Sequence, residues 1–189
     1  YLRSLCRPRV LDLCTGSGAL ALAIKRHVPQ AQVTASDISD AALLVAQNNA
    51  RRLGLDISFL QGDLFAPVQG EFDLIVCNPP YIRSVDCLHL APTVRRYEPM
   101  LALDGGADGL DYYRRIALEA PLYLPADGML MLEVGFDQAR VVGRLLQQHF
   151  HDIVIKRDMQ AIARMVWAKK RGFDERDDSG KDGADQKTI

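Results

Sequence analysis

With 189 residues, 48% of them hydrophobic and 25% charged, the chain has the size and balance of one soluble domain with a substantial core. A formal net charge of −1 leaves no basic footprint for nucleic acid, no apolar run approaches the roughly 20 residues that cross a bilayer, and no basic stretch followed by an apolar core opens the sequence, so a cytoplasmic protein is expected. Cys6, Cys14, Cys77 and Cys87 form no CxxC pair, and His27, His89, His149 and His151 have no HExxH-type spacing; neither a metal site nor a disulfide framework is expected.

Taken in chain order, Arg9 to Leu13 predicts a short buried strand, Cys14 to Gly18 a small-residue loop, and Ala19 to His27 a helix ended by Pro29. Gln32 to Ser36 predicts a second strand ending at Asp37. Ser39 then caps a helix with the apolar stripe Ala42, Val45, Ala46 and Leu53, stopped by Gly54. Ile57 to Gln61 and Phe72 to Cys77 are further apolar strands that close on Asp63 and Asn78. The stretch from Ile82 to Gly109 has no clear period and reads as an irregular excursion. Beyond it come a helix from Leu110 to about Tyr123, a strand from Met129 to Val134, and an amphipathic helix from Asp137 to His149 through Val141, Val142, Leu145 and Leu146. Strands near Ile153 to Lys156 and Arg164 to Ala168 follow with no helix between them. Strands separated by helices imply a doubly wound, mostly parallel α/β sheet, and the last direct connection implies an antiparallel hairpin. From Lys170 onward the sequence is charged and poor in large apolar residues, the composition of a disordered tail.

In open α/β sheets ligands sit at the carboxyl ends of the strands, and a Gly-rich first turn lets a cofactor approach the backbone and a helix N-terminus. Asp12-Leu-Cys14-Thr15-Gly16-Ser17-Gly18 occupies that place. Asp37, nineteen positions past Gly18, suits the two hydroxyls of a ribose. Asp63 suits the exocyclic amine of adenine, with Leu64 packed on the ring. Gly16-Ser-Gly18-Ala-Leu-Ala21 also satisfies the dinucleotide pattern GxGxx[G/A], so NAD is a rival. Asp12 argues against it, since a carboxylate before the loop repels a pyrophosphate and attracts the ammonium of a methionyl group. The alternative for Asp12 is a helix-capping or turn acid.

Asn78-Pro79-Pro80-Tyr81 follows the fourth strand, at the same sheet edge as the loop. Two prolines fix φ and remove two N–H donors. The Asn78 side-chain oxygen and the Pro79 carbonyl can then each accept a hydrogen of an NH2 group, aiming its nitrogen lone pair at a methyl donor, while Tyr81 stacks on the planar group. Turn chemistry alone also suits Asn-Pro-Pro, but it does not require this tetrapeptide at a ligand-binding strand end. Together the two motifs predict an S-adenosylmethionine-dependent enzyme acting on a planar amide or amine nitrogen.

From Arg9 to Lys169 the chain resembles the HemK-type protein-glutamine methyltransferases, in the first loop, in Asn78-Pro-Pro-Tyr81, in Tyr97-Glu98-Pro99 and in Leu103-Asp-Gly-Gly-Ala-Asp-Gly-Leu110. The tetrapeptide is shared with adenine amino-methyltransferases; the last two segments narrow the choice. The resemblance implies a seven-stranded class I methyltransferase domain over residues 1–169 and methyl transfer to the GGQ glutamine of peptide-chain release factors. It also implies cofactor contacts at Cys14 to Gly18, Asp37, Leu64 and Asn78, and substrate contacts at Asn78 to Tyr81. The sequence departs from the family in three places. Cys14 stands where the general methyltransferase pattern has glycine. Ala161-Ile-Ala-Arg164 replaces a Gly/Asn-Asp-Arg type of segment. The small helical N-terminal recognition domain has no counterpart before Tyr1, so a segment of a longer protein with weakened substrate affinity is expected. Glu133, closing the fifth strand, is a candidate supporting residue. Two rivals stand beside the main expectation: an adenine amino-methyltransferase acting on a flipped base, and a NAD-binding oxidoreductase or nucleotide sensor.

Overall fold

The computed structural model describes residues 1–172. Five strands run parallel: β1 (Arg9–Leu13), β2 (Gln32–Asp37), β3 (Ser58–Gln61), β4 (Leu74–Cys77) and β5 (Met129–Glu133). The hairpin of β6 (Phe150–Arg157) and β7 (Ala163–Lys170) completes a seven-stranded sheet in the order β3-β2-β1-β4-β5-β7-β6, with β7 antiparallel to β5. The strand order reverses between β1 and β4, and that switch point is where an open α/β sheet leaves a crevice at its carboxyl edge. This is the class I methyltransferase arrangement expected from the sequence.

Both faces of the sheet are covered, which is why β1 and β4 are apolar almost throughout. Leu11, Leu13, Ile75, Leu130 and Leu132 face helices α5 (Asp111–Glu119) and α6 (Ala139–Leu146) through Tyr113, Ile116, Val142 and Leu146. Val10, Val33, Ala35, Leu74 and Val76 form the opposite layer with Ala21 of α1 (Ala19–His27). Ser39 caps α2 (Asp40–Leu53) by accepting from the Ala42 N–H, and Gly54 ends it in the left-handed region.

Several elements differ from the sequence-based expectation. The buried stripe of α2 is Leu43, Ala46 and Ala50, while Val45 and Leu53 are 48% and 50% exposed. The helix is rotated because Ala46 must pack on Gly18, where a Cβ would lie 3.0 Å from the Ala46 Cβ. The excursion from Ile82 to Gly109 contains two short helices, α3 (Ser84–Cys87) and α4 (Pro92–Tyr97), and a 3-10 turn at Met100–Ala102, all too short to impose a period. Pro121 has no N–H to give, so the helix expected to reach Tyr123 passes at Ala120 into a 3-10 turn. α6 is shorter than expected and the final strands longer; in the edge strand β6 the outward positions carry polar residues that hide its period. Lys170 belongs to β7, donating its N–H to the Gly128 carbonyl; the rest of the expected tail from 173 onward lies outside the described residues. The Ala161 segment turns the β6–β7 hairpin with Ala161 at φ 62°, a conformation that favours glycine or asparagine. Among the described residues no helix is long and apolar enough to cross a membrane.

Candidate active site

Strand register brings the motif residues together. Leu13 is level with Ser36 on one side and Cys77 on the other, so Cys14, Asp37 and Asn78 leave the sheet side by side. They border a cavity of about 600 Å³, within the size range of nucleoside-like ligands. Gly16, Ser17, Asp63, Leu64 and Pro80 line it too.

The first loop is built to be rigid. Thr15 donates its N–H to the Ser36 carbonyl and its hydroxyl to Asp12 Oδ2, at 3.0 and 2.6 Å. Gly16 has φ 55° and donates its N–H to Asp37 Oδ2 at 2.8 Å; a Cβ there would meet nothing within 4 Å, so the backbone is open to a ligand. Asp37 Oδ1 accepts from the Ser39 N–H at 2.9 Å. The carboxylate is thus oriented by two backbone donors and keeps lone pairs for a diol. Cys14 and Leu64 both have positive φ, 55° and 45°, a strained state for residues with side chains that persists where surrounding structure demands it. The Ser36 hydroxyl is enclosed at the cavity wall without a hydrogen-bond partner among the described residues. Open backbone at Gly16 and an orphaned hydroxyl at Ser36 fit a polar ligand of nucleoside type.

Asp12 lies beneath the loop and does not line the cavity. It is 1% exposed, with Oδ2 accepting from Thr15 Oγ1 and from the Ala21 N–H at 3.0 Å. Gly18 is the N-cap of α1 and has no side chain to offer, so Asp12 satisfies a free N–H of the first helical turn from the neighbouring strand. The capping alternative therefore describes its contact. Its Oδ1 has no hydrogen-bond partner among the described residues. Burial pushes its carboxyl up to about 6, against the lowering effect of the Thr15 and Ala21 bonds and with a further rise from Asp37. Asp63 reaches the cavity wall, but Arg115 engages both of its oxygens at 3.1 and 2.9 Å. Thr15 and Gly18 shape the loop from behind without lining the cavity.

The tetrapeptide divides two spaces. Asn78 is exposed at the first cavity and Pro80 is buried against it. Tyr81 is half-buried and lines a second cavity of about 560 Å³ with Cys77, Leu132 and Glu133. Pro79 is buried and lines neither. Glu133 accepts a hydrogen bond at its backbone carbonyl from the fully buried Tyr113 hydroxyl at 2.9 Å. The second cavity also takes in Lys156, Arg157, Asp158 and Arg164 of the hairpin.

Residues not assigned to the site from the sequence complete the first cavity: Ile38 after Asp37, Ala42 and Val45 on α2, Glu98, Pro99, Leu101 and Ala102 of the excursion, and Tyr112 on α5. Val45 gave no separate signal, because the sequence places it in the expected apolar stripe of α2. Ile38 had one, as an apolar residue directly after Asp37. Glu98 and Pro99 had one in the Tyr97-Glu98-Pro99 segment that carries the resemblance, whereas Leu101 and Ala102 had none.

The family model described as methyltransferase small domain matches residues 2–91. The release factor glutamine methyltransferase of Geobacter sulfurreducens is 46% identical over 159 residues, 83% of this chain and 56% of that protein. Its namesake from Rhodospirillum rubrum is 46% identical over 169 residues, 88% of this chain and 52% of that protein. The chain thus spans about half the length of these curated relatives. A methyltransferase structure from Pyrococcus furiosus superimposes with a TM-score of 0.67 at 17% identity, over 90% of this chain and 79% of that one, a likeness of fold.

Proposed function

We propose, from its likeness to the release factor glutamine methyltransferases, that the chain methylates the side-chain amide nitrogen of a protein glutamine, using S-adenosylmethionine, in the cytoplasm. The acceptor we assign is the glutamine of the GGQ loop of a peptide-chain release factor. The observation that carries this is the meeting of Asn78 with Cys14, Gly16 and Asp37 around one cavity, while Tyr81 of the same tetrapeptide faces the next.

In this assignment Asp37 holds the ribose, the Gly16 and Ser17 backbone borders the methionyl part, and Ile38 and Leu64 flank the base. When bound, S-adenosylmethionine supplies a methyl group on a positively charged sulfur. The chain's own work is alignment and exclusion of water more than proton transfer: as the N–C bond forms the S–C bond breaks, S-adenosylhomocysteine is left, and one amide proton passes to solvent after the transfer. Asn78 and Pro79 accept the two amide hydrogens, which fixes the plane of the amide and raises electron density on a nitrogen whose lone pair is delocalised. A carboxylate has no such hydrogens, so glutamate is rejected. Tyr81 packs on the planar group from the second cavity.

Mass spectrometry at saturating cofactor tests the assignment, with three candidate acceptors: intact release factor, its Gln-to-Glu variant, and an adenine-containing oligonucleotide. A gain of one methyl group on the factor alone is expected. Transfer to the oligonucleotide and none to the factor would establish an adenine amino-methyltransferase instead, and calorimetry showing tighter binding of NADH than of S-adenosylhomocysteine would overturn the cofactor.

A further inference from the structure

We propose that Gln138 is a positioning residue for the acceptor tetrapeptide, its side-chain amide tying the Tyr81 carbonyl, the end of the 82–109 excursion and the turn after β5 into one unit. The inference rests on the methyl-transfer function proposed above. Gln138 stands at the N-cap of α6 but makes no side-chain capping bond to that helix. It is only 8% exposed, unusual for a glutamine in a turn. Nε2 donates to the Tyr81 carbonyl at 2.9 Å and to the Gly109 carbonyl at 3.1 Å, and Oε1 accepts from the Gly135 N–H at 3.0 Å. Both donors and the acceptor are used, which also fixes which way the amide points.

The socket around this amide depends on missing side chains. A Cβ at Gly109 would lie 2.4 Å from the Tyr81 carbonyl oxygen and 2.7 Å from Gln138 Nε2; one at Gly135 would lie 2.6 Å from Gln138 Oε1 and 3.4 Å from the Tyr81 ring. On the far side of Tyr81, Ile82 donates its N–H to the Leu103 carbonyl and Gly105 donates its own to Ile82. The base of the clamp is firm, because α6 is anchored by fully buried Val142 and Leu146. Gln138 touches neither of the cavities through which cofactor and acceptor are assigned. It acts on Asn78 and Pro79 by holding the segment three residues on.

Gln138→Met keeps the length and removes every hydrogen bond; Gln138→Glu keeps the acceptor for Gly135 but has no N–H for Tyr81 and Gly109. Both variants should bind S-adenosylhomocysteine as the parent does, and single-turnover methyl transfer should fall about 10- to 100-fold in both, as small displacements of reacting groups do. Amide exchange at Ile82 and Gly105 should quicken in both while the β1 and β4 amides stay protected. A parent-like rate in Gln138→Glu would mean that only the Gly135 turn matters and would overturn the proposal. So would a rate that falls only in step with cofactor affinity, or loss of folded Gln138→Glu by circular dichroism. If the parent methylates no acceptor, the proposed function fails, and exchange at Ile82 and Gly105 in Gln138→Glu decides the clamp alone: unchanged protection there sinks it.

Discussion

The first loop and the 82–109 excursion border the same cavity by opposite means. Cys14 to Gly18 is held largely by side chains of the sheet, the carboxylates of Asp12 and Asp37 on two adjacent strands, and by the helix that begins at once. The excursion is held by backbone contacts between its own two ends, Ile82 to Leu103 and Gly105 to Ile82, and by glycines that let those chains touch. A loop of the first kind resists change at one or two side chains. One of the second kind depends on space being left empty. The difference predicts distinct failures: substitutions at the first loop should change affinity, and substitutions where the excursion meets Asn78 to Tyr81 should change chemistry or folding.

The largest effect is expected at the junction itself. Asn78→Ala should lower single-turnover methyl transfer about 100- to 1000-fold, the loss seen when one preorganised polar group at a reacting centre is removed. Because Asn78 is exposed and its side chain has no hydrogen-bond partner among the described residues, the thermal midpoint should not move. An unchanged rate would reduce the tetrapeptide to a turn.

Next comes the space left empty. Gly109→Ala places a Cβ 2.4 Å from the Tyr81 carbonyl at φ 74°, combining left-handed strain of roughly 1 to 2 kcal/mol with overpacking of about 1 to 3 kcal/mol. Gly54→Ala is the control, since its φ is 63° but a Cβ there meets nothing within 4 Å. Denaturant unfolding should show the first losing clearly more stability than the second. Equal losses would mean that Tyr81 and Gly109 are not locked together.

These contacts also explain what the sequence could disclose. The meeting of the first loop, Asp37 and Asn78 at one edge was legible because each closes or follows a short apolar strand, and strand ends in a parallel sheet share one edge. The mostly parallel sheet and the final hairpin followed from the presence or absence of helices between strands; the strand order did not. The rotation of α2 was not legible, because Ala42, Val45 and Ala46 are all apolar and only the contact with Gly18 decides between them. Gln138 was invisible for a related reason. A glutamine after a glycine turn looks like a surface residue, and its three partners come from positions 81, 109 and 135. Asp12 was placed correctly before the loop, yet charge alone could not say whether it would face the cavity or the helix.

At the first loop, Asp37→Ala removes a carboxylate held by the Gly16 and Ser39 amides. Affinity for S-adenosylhomocysteine should fall about 10- to 100-fold, the equivalent of one charge-assisted bond of about 1.5 to 3 kcal/mol. Calorimetry with the folded variant measures it directly. Affinity equal to the parent's would remove the ribose role.

The smallest effect separates two roles of Asp12. Its carboxyl is pushed up to about 6 by burial, whereas the ordinary value is 3.8. Between those pH values the folded chain keeps a proton that the unfolded chain has released, so the folded state binds more protons and stability falls as pH rises through the window. Asp12→Asn should flatten that slope in denaturant unfolding between pH 4 and 6. Capping of α1 alone predicts nothing further. If Asp12 also attracts the methionyl ammonium from beneath Cys14, the bound cation should favour the charged carboxylate. Affinity for S-adenosylhomocysteine should then weaken several-fold, on the order of 1 kcal/mol for one partly screened charge pair, as pH falls from 7 to 5. Asp12→Asn should show no such weakening. Parent affinity that stays level across this range, in protein still folded at pH 5, would confine Asp12 to the cap and leave the methionyl ammonium to the loop backbone.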